Sequence, residues 1–204
     1  MEKYFRLPAV NFFRAMFFSL FLVLGFAEVT TAHNTAFTIK KGTKLTYDVV
    51  TVNGKHYSFV VKVKSFAKTA ISFDWSMGGD VKSSGSVTIY NSALEKATTY
   101  KNYFGKDVLT KLKSESTVWL SRKNFNELNN SSKTSMALDL SFCEYKKQSN
   151  VHYNAAFAGK LTSLDAMSVK GSNGNSLVIL RDANNPIILK MALQDFTISL
   201  QRID

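Results

Sequence analysis

Apolar and polar residues alternate along two neighbouring stretches of the sequence, and this alternation constrains the fold more than any other feature. The stretch 45–49 alternates with a period of two, and the stretch 57–63 resumes the alternation after the dipeptide Asn53-Gly54. Successive side chains of a strand point to opposite faces, so each stretch has one apolar face as a strand. The two stretches and the dipeptide therefore predict a β-hairpin with one buried face.

The length of the turn decides which residues of this hairpin face each other. A two-residue turn would set Leu45 against Lys62 and would place apolar residues on both faces. A three-residue loop ending at Gly54 instead sets Tyr47 against Phe59 and collects the apolar residues on one face. It also puts Gly54 at the left-handed position of a type I turn with a G1 bulge. We therefore predict the three-residue loop.

The alternation continues along the chain and predicts a mainly β fold. Residues 71–77 and 85–90 form a second predicted hairpin, with a turn beginning at 78–80. Further strands are predicted at 136–142, 164–169, 176–180, 187–191 and 196–200. We expect one β-rich domain, residues 33–204, built as a curved antiparallel sheet or incomplete β-barrel, with about nine or ten strands.

The middle of the chain is predicted to contain one or two short helices. Ser92 and Glu95 have the spacing of a capping box, which predicts a helix from Ser92 towards Ala97. Residues 117–121 are predicted to form a strand, followed by a helical turn at 122–128 and a loop at 129–132.

The start of the sequence has the three parts of a secretory signal peptide. Basic residues precede the uncharged apolar run 15–27, and small residues follow it at 30–32. Residues 1–32 are thus predicted to be a signal peptide cleaved after Ala27 or Ala32. An uncleaved anchor is the alternative, although the run is shorter than the about 20 residues of a spanning helix. We expect an exported protein, periplasmic, cell-surface or secreted, with no transmembrane segment after cleavage; the lack of a cysteine near the cleavage positions argues against a lipoprotein.

The chain is strongly basic, with a formal net charge of +11. Beyond residue 32 the arginines are only Arg122, Arg181 and Arg202, and the other basic residues are lysines. Arginine is the residue that reads bases and phosphates in bidentate fashion, so sequence-specific binding of nucleic acid is not expected. The lysines are predicted to form a solvated face, and attraction to an anionic envelope surface is the alternative.

Sequence motifs for catalysis or for metal binding are missing. Cys143 is the single cysteine, so no internal disulfide can form and a buried, inert thiol is expected. His33, His56 and His152 lie far apart in sequence and lack the spacing of a zinc site. There is also no nucleophile elbow or phosphate-binding glycine loop. We predict no catalytic residue, no metal and no cofactor.

Apolar and aromatic side chains are the best candidates for a binding site. Ile71, Phe73 and Trp75 share one face of a predicted strand, and Trp119 belongs to another segment. One interpretation is that all four residues pack in the core. The other is that a curved sheet leaves part of this face open as a groove for an apolar or glycan ligand.

Four segments resemble parts of uncharacterised exported proteins of Bacteroidetes-type bacteria. They are KKGTKLTYDV (40–49), SFDWSMGG (72–79), VWLSRKNF (118–125) and NPIILKM (185–191). The layout is also similar to that of periplasmic β-clam or half-barrel proteins of unknown function. The resemblance implies a curved antiparallel sheet with short helices, and it implies no activity and no catalytic residues.

These observations lead to three hypotheses about function. The first is a non-catalytic exported binding protein that holds a lipid-like or amphiphilic ligand on a concave apolar face, with lysines at the rim. The second is a structural or assembly component of the cell envelope with a solidly packed interior. The third is a hydrolase whose catalytic residues are distant in sequence.

Overall fold

Thirteen strands and two helices form the regular structure of the described part of the chain. The computed structural model describes residues 38–79, 83–138 and 141–204. The predicted signal peptide, residues 1–32, lies outside the described residues. The elements are, in chain order, β1 (Lys44–Thr51), β2 (His56–Ala67), β3 (Ala70–Met77), β4 (Ser83–Tyr90), α1 (Asn91–Lys96), β5 (Thr99–Tyr100), β6 (Leu109–Leu112), β7 (Glu115–Ser116), α2 (Arg122–Ser131), β8 (Lys133–Leu138), β9 (Ser141–Phe157), β10 (Lys160–Gly171), β11 (Ser176–Leu180), β12 (Ile188–Ala192) and β13 (Phe196–Ile203).

These thirteen strands belong to one curved sheet. Its order of hydrogen-bonded neighbours is β6-β4-β3-β2-β1-β13-β12-β11-β10-β9-β8-β5-β7. The predicted mainly β fold, a curved sheet or incomplete barrel with short helices, is confirmed. The sheet is mixed rather than wholly antiparallel, because β4 pairs in parallel with β6 and β5 pairs in parallel with β7 and β8.

The last strand makes an additional contact that reflects the curvature of the sheet. β13 lies between β1 and β12, yet Arg202 and Ile203 also pair in parallel with Ala156 and Phe157 of β9. Within the described ranges only these two residue pairs join β13 to β9. The sheet therefore curls towards itself without forming a closed barrel.

The first hairpin has the predicted register. Tyr47 lies opposite Phe59, and Leu45 lies opposite Val61. Gly54 has a φ of +73°, the left-handed conformation that the third residue of the loop requires. The three-residue loop is confirmed, since one-sided burial of the apolar residues and the geometry of the turn favour the same pairing.

The middle of the chain differs from its prediction at four points. The predicted strand 136–142 is divided between β8, which ends at Leu138, and β9, which begins at Ser141. Ser92 lies inside α1 instead of capping it, and its hydroxyl donates a hydrogen bond to the carbonyl of Lys113. Residues 117–121 do not form a strand, because Val118 has a φ of +58° and only Trp119 makes an isolated bridge. The predicted loop at 129–132 is mostly helical, since α2 continues to Ser131.

Two hydrophobic clusters lie on opposite faces of β10 and β11. Ala166 and Leu180 belong to the first cluster, whereas their chain neighbours Met167 and Ile179 belong to the second. Adjacent residues of a strand point to opposite faces, so these strands separate the clusters. The first cluster collects the inward side chains of β1 to β4, and α2 covers the second cluster. No helix in the described ranges is long and apolar enough to cross a membrane.

Candidate functional site

A cavity of about 510 Å³ lies on the inner face of strands β3, β2, β1, β13 and β12. The chain segments that follow β5 and β7 complete its lining at residues 102–104 and 117–118. Most of the lining side chains are apolar or aromatic, and those that the strands contribute include Tyr47, Val49, Phe59, Trp75, Met77, Ile188, Met191, Phe196 and Ile198. The cavity thus uses the same apolar faces that the alternating pattern predicts to be buried.

Three aromatic rings form the centre of the lining. Phe59 of β2 and Trp75 of β3 lie on neighbouring strands, with ring centroids 6.4 Å apart. The ring of Phe104, from the segment after β5, lies 6.1 Å from Phe59 and 5.3 Å from Trp75. These separations are typical of interacting aromatic pairs. Phe104 therefore attaches the segment to the face of the sheet.

The segment that carries Phe104 is also held by its backbone. On one side, the Lys101 amide donates to the carbonyl of Ser116 at 2.9 Å. On the other, the Asp107 amide donates to the carbonyl of Ser84 at 2.8 Å. Residues 102–106 lie between these two anchors. We call residues 102–106 the strap.

The cavity has a buried end and an exposed end. Tyr47, Tyr100 and Ile188 line it and are at most 3% exposed. Tyr103 is 58% exposed, and Asp195 is also exposed. The side of Tyr103 and Asp195 is therefore open to solvent, and the two tyrosines lie at the closed end.

The two buried tyrosines differ in their hydrogen bonding. The hydroxyl of Tyr47 donates to the carbonyl of Ile188 at 3.2 Å. The hydroxyl of Tyr100 is buried and has no partner among the described residues. Burial, and secondarily the neighbouring Tyr153, raises the pKa of Tyr47 above its ordinary value, while burial followed by the effect of Tyr47 raises the pKa of Tyr100. Both side chains are thus neutral phenols at neutral pH.

Charge is almost absent from the cavity. Among the described lining residues, Asp195 is the one charged side chain, and it lies at the exposed end. The rim of lysines expected to meet anionic groups is not found in the described lining. The environment therefore favours apolar groups, with polar contacts limited to hydroxyls, amides and backbone groups.

The structure separates the four residues that the sequence singled out. Trp75 lines the cavity. Phe73 and Trp119 are at most 1% exposed and pack against each other, with centroids 5.8 Å apart. Ile71 is also buried, and none of these three belongs to the lining. They pack in the core as one of the two interpretations expects, so the binding role stays a prediction for Trp75 alone.

Sequence reasoning missed several residues of the cavity. Phe104 and Tyr100 lie in a region without regular alternation, and the positions of their side chains depend on contacts distant in sequence. Tyr47 and Phe59 had a usable signal, because they share the apolar face of the first hairpin. Their alternation indicated burial but could not distinguish the lining of a cavity from a solid core.

The backbone of β4 passes close to the indole of Trp75. Gly85 of β4 lies opposite Trp75 of β3. A Cβ atom at residue 85 would lie 2.8 Å from Nε1 of Trp75 and 3.1 Å from the carbonyl oxygen of Val108. Real Cβ atoms essentially never approach other atoms as closely as the first distance. The absence of a side chain at Gly85 therefore allows the observed position of the indole.

In the described ranges, no group of three or more His, Cys, Asp or Glu side chains is placed to hold a metal ion. Comparisons with known protein families, with curated proteins and with solved structures found no match. The resemblance to exported β-clam proteins therefore stays a prediction.

Proposed function

We propose that the protein is an exported, non-catalytic binding protein that holds a lipid-like or otherwise amphiphilic ligand in the cavity between the sheet and the strap. The observation that carries this proposal is the cavity itself. Its volume of about 510 Å³ lies within the usual range of small-molecule sites, about 300–1,000 Å³. A solidly packed interior, as expected for a purely structural component, would not contain such a space.

The chemistry of the lining supports an apolar ligand body. Phe59, Trp75 and Phe104 form a continuous aromatic surface, and Ile188 and Met191 add aliphatic and thioether groups. Removing apolar surface of a ligand from water contributes about 25 cal/mol for each Å². An alkyl chain or a fused ring system would therefore gain most of its binding free energy in this cavity.

The two tryptophans of the chain provide a direct test. Trp75 lines the cavity, whereas Trp119 does not. Decan-1-ol does not absorb near 280 nm, so an emission change on its addition reports a changed environment of an indole. We expect a shift to shorter wavelength in the wild type and in Trp119→Phe, which keeps Trp75. Trp75→Phe, which keeps Trp119, is the matched control and should show little change.

Native mass spectrometry of protein purified from its own cells gives a second, independent test. We expect a population carrying one extra non-covalent mass of a few hundred daltons, which organic solvent removes. Decan-1-ol that changes neither tryptophan's emission, together with protein that carries no extra mass, would contradict the proposed function.

A row of lysines supports the second predicted partner, an anionic envelope surface. Lys133 of β8, Lys146 of β9 and Lys170 of β10 pair across neighbouring strands and share one face. Glu144 contacts Lys133 and Lys146 and offsets only part of this charge. We expect Lys133→Ser with Lys170→Ser to weaken sedimentation with phosphatidylglycerol vesicles at low salt. A double variant at two other exposed lysines, Lys55→Ser with Lys160→Ser, keeps the net charge equal as the control.

A further inference from the structure

The Tyr100 hydroxyl is a buried polar group without a partner, and the residue that carries it lines the cavity. Tyr100 is 2% exposed, and its hydroxyl makes no hydrogen bond with any described residue. Leaving such a group unpaired costs about 1–3 kcal/mol, so buried hydroxyls are usually satisfied by protein, water or ligand. The neighbouring phenol of Tyr47 donates to the carbonyl of Ile188 and makes no hydrogen bond with Tyr100.

The surroundings of Tyr100 define which ligand group could pair with it. The described lining holds no cationic side chain, and its one carboxylate, that of Asp195, lies at the exposed end. A charged group at the buried end would lose its hydration without gaining a counter-ion, which is strongly unfavourable. An uncharged hydroxyl or carbonyl group would lose less hydration free energy than a charged group, and it would form a hydrogen bond with the phenol. Since burial raises the pKa of Tyr100, the phenol keeps its proton and can donate it to an oxygen.

We propose that the natural ligand carries an uncharged oxygen, as a hydroxyl or carbonyl group, on the end that enters the cavity first, and that this oxygen hydrogen-bonds to the Tyr100 hydroxyl. This inference rests on the proposed function and narrows its ligand class to neutral-ended amphiphiles such as long-chain alcohols, ketones, sterol-like alcohols or acyl esters. Free fatty acids that enter with the carboxylate first are excluded from this class.

Displacement of a fluorescent hydrocarbon separates this inference from the proposed function. Diphenylhexatriene has no polar atom, so its binding reports the apolar cavity alone. Decan-1-ol, decan-2-one and decanoate have equal chain lengths and differ at the end. We expect wild-type protein to bind diphenylhexatriene, and the alcohol and the ketone to displace it at concentrations at least about tenfold lower than decanoate.

The Tyr100→Phe variant removes the hydroxyl and keeps the ring. A hydrogen bond of about 1 kcal/mol corresponds to a factor of about five in Kd. We therefore expect Tyr100→Phe to weaken the binding of decan-1-ol and decan-2-one about fivefold relative to the binding of diphenylhexatriene. The variant loses no existing hydrogen bond, and its melting temperature, compared with that of the wild type, verifies that it folds.

Each outcome has a defined meaning. If Tyr100→Phe binds decan-1-ol as tightly as the wild type does, or if decanoate binds as tightly as the alcohol, the inference is overturned while binding of diphenylhexatriene still supports the cavity's function. If neither diphenylhexatriene nor decan-1-ol binds the wild type, the proposed function fails and the inference fails with it.

Discussion

The rings of Phe104 and Phe59 lie nearly parallel, with 6.1 Å between their centroids and 6° between their planes. Phe59 belongs to β2, whereas Phe104 belongs to the strap. The same strap residue also contacts Trp75 at 5.3 Å. Phe104 therefore attaches the strap to the sheet and also lines the cavity.

Replacing Phe104 should accelerate exchange of the ligand. An aromatic pair contributes about 0.5–1.5 kcal/mol beyond its buried area, and Phe104 forms two such pairs. We expect Phe104→Ala to raise the release rate of diphenylhexatriene about three- to tenfold, measured by stopped-flow fluorescence. Lys106→Ala, at an exposed position of the strap outside the cavity lining, is the control and should change the rate little. Equal release rates for wild type and Phe104→Ala would mean that the strap does not gate the cavity.

Loss of the hydroxyl should lower the stability of the protein at Tyr47 but not at Tyr100. Tyr47→Phe removes the bond to the Ile188 carbonyl and leaves that carbonyl with one partner fewer. We expect the free energy of unfolding to fall by about 1 kcal/mol. Tyr100→Phe removes an unpaired buried hydroxyl and should leave the ligand-free protein equally stable or more stable. Urea denaturation measures both, and a loss of 1 kcal/mol or more in Tyr100→Phe would contradict the assignment of an unpaired hydroxyl.

The buried tyrosines should make the protein less stable at high pH. Burial is the main cause that raises the pKa of both Tyr47 and Tyr100 above the ordinary value of 10.0. Above that pH the unfolded chain loses these protons while the folded chain keeps them, so the unfolded state binds fewer protons and stability falls. Each such tyrosine lowers the free energy of unfolding by up to about 1.4 kcal/mol for each pH unit in this range.

Comparison of the wild type with Tyr100→Phe isolates the contribution of Tyr100 to this loss of stability at high pH. All other ionisable groups are the same in the wild type and in Tyr100→Phe. We expect the free energy of unfolding, measured in urea between pH 8 and pH 11, to fall less steeply above pH 10 in the variant. Parallel pH profiles for the two proteins would show that the Tyr100 phenol does not titrate at a raised pKa.

The hairpins could be predicted from sequence because their determinants are local. Alternation with a period of two fixes which residues are buried, and Gly54 fixes the loop length that agrees with this burial. Strand β11, Ser176–Leu180, was predicted for the same reason with its observed bounds. Such elements need no knowledge of the rest of the fold.

The long strand β9 and the strap could not be predicted in this way. Along β9, Ser141–Phe157, only Tyr145 and Ala155 are buried, so most positions give no apolar signal. The strand exists because β8 and β10 pair with it on both sides. The positions of Phe104 and Tyr100 in the cavity lining likewise depend on contacts with strands distant in the chain. Trp75 is the one predicted site residue that lines the cavity. Its strand has the alternating pattern that sequence reasoning detects, and the same strand forms part of the cavity wall.

A methyl group at residue 85 should disturb the cavity through Trp75. In Gly85→Ala the new Cβ would lie 2.8 Å from Nε1 and 3.1 Å from Cε2 of Trp75, an indole that is only 4% exposed and contacts two other rings. Because the indole has little space to move, we expect a loss of about 1–3 kcal/mol in the free energy of unfolding, measured in urea, and weaker binding of diphenylhexatriene. Gly78→Ala is a matched control, since its Cβ would meet no atom closer than 3.8 Å. Should both variants unfold at the same urea concentration as the wild type, the tight approach of Gly85 to Trp75 would not constrain the indole.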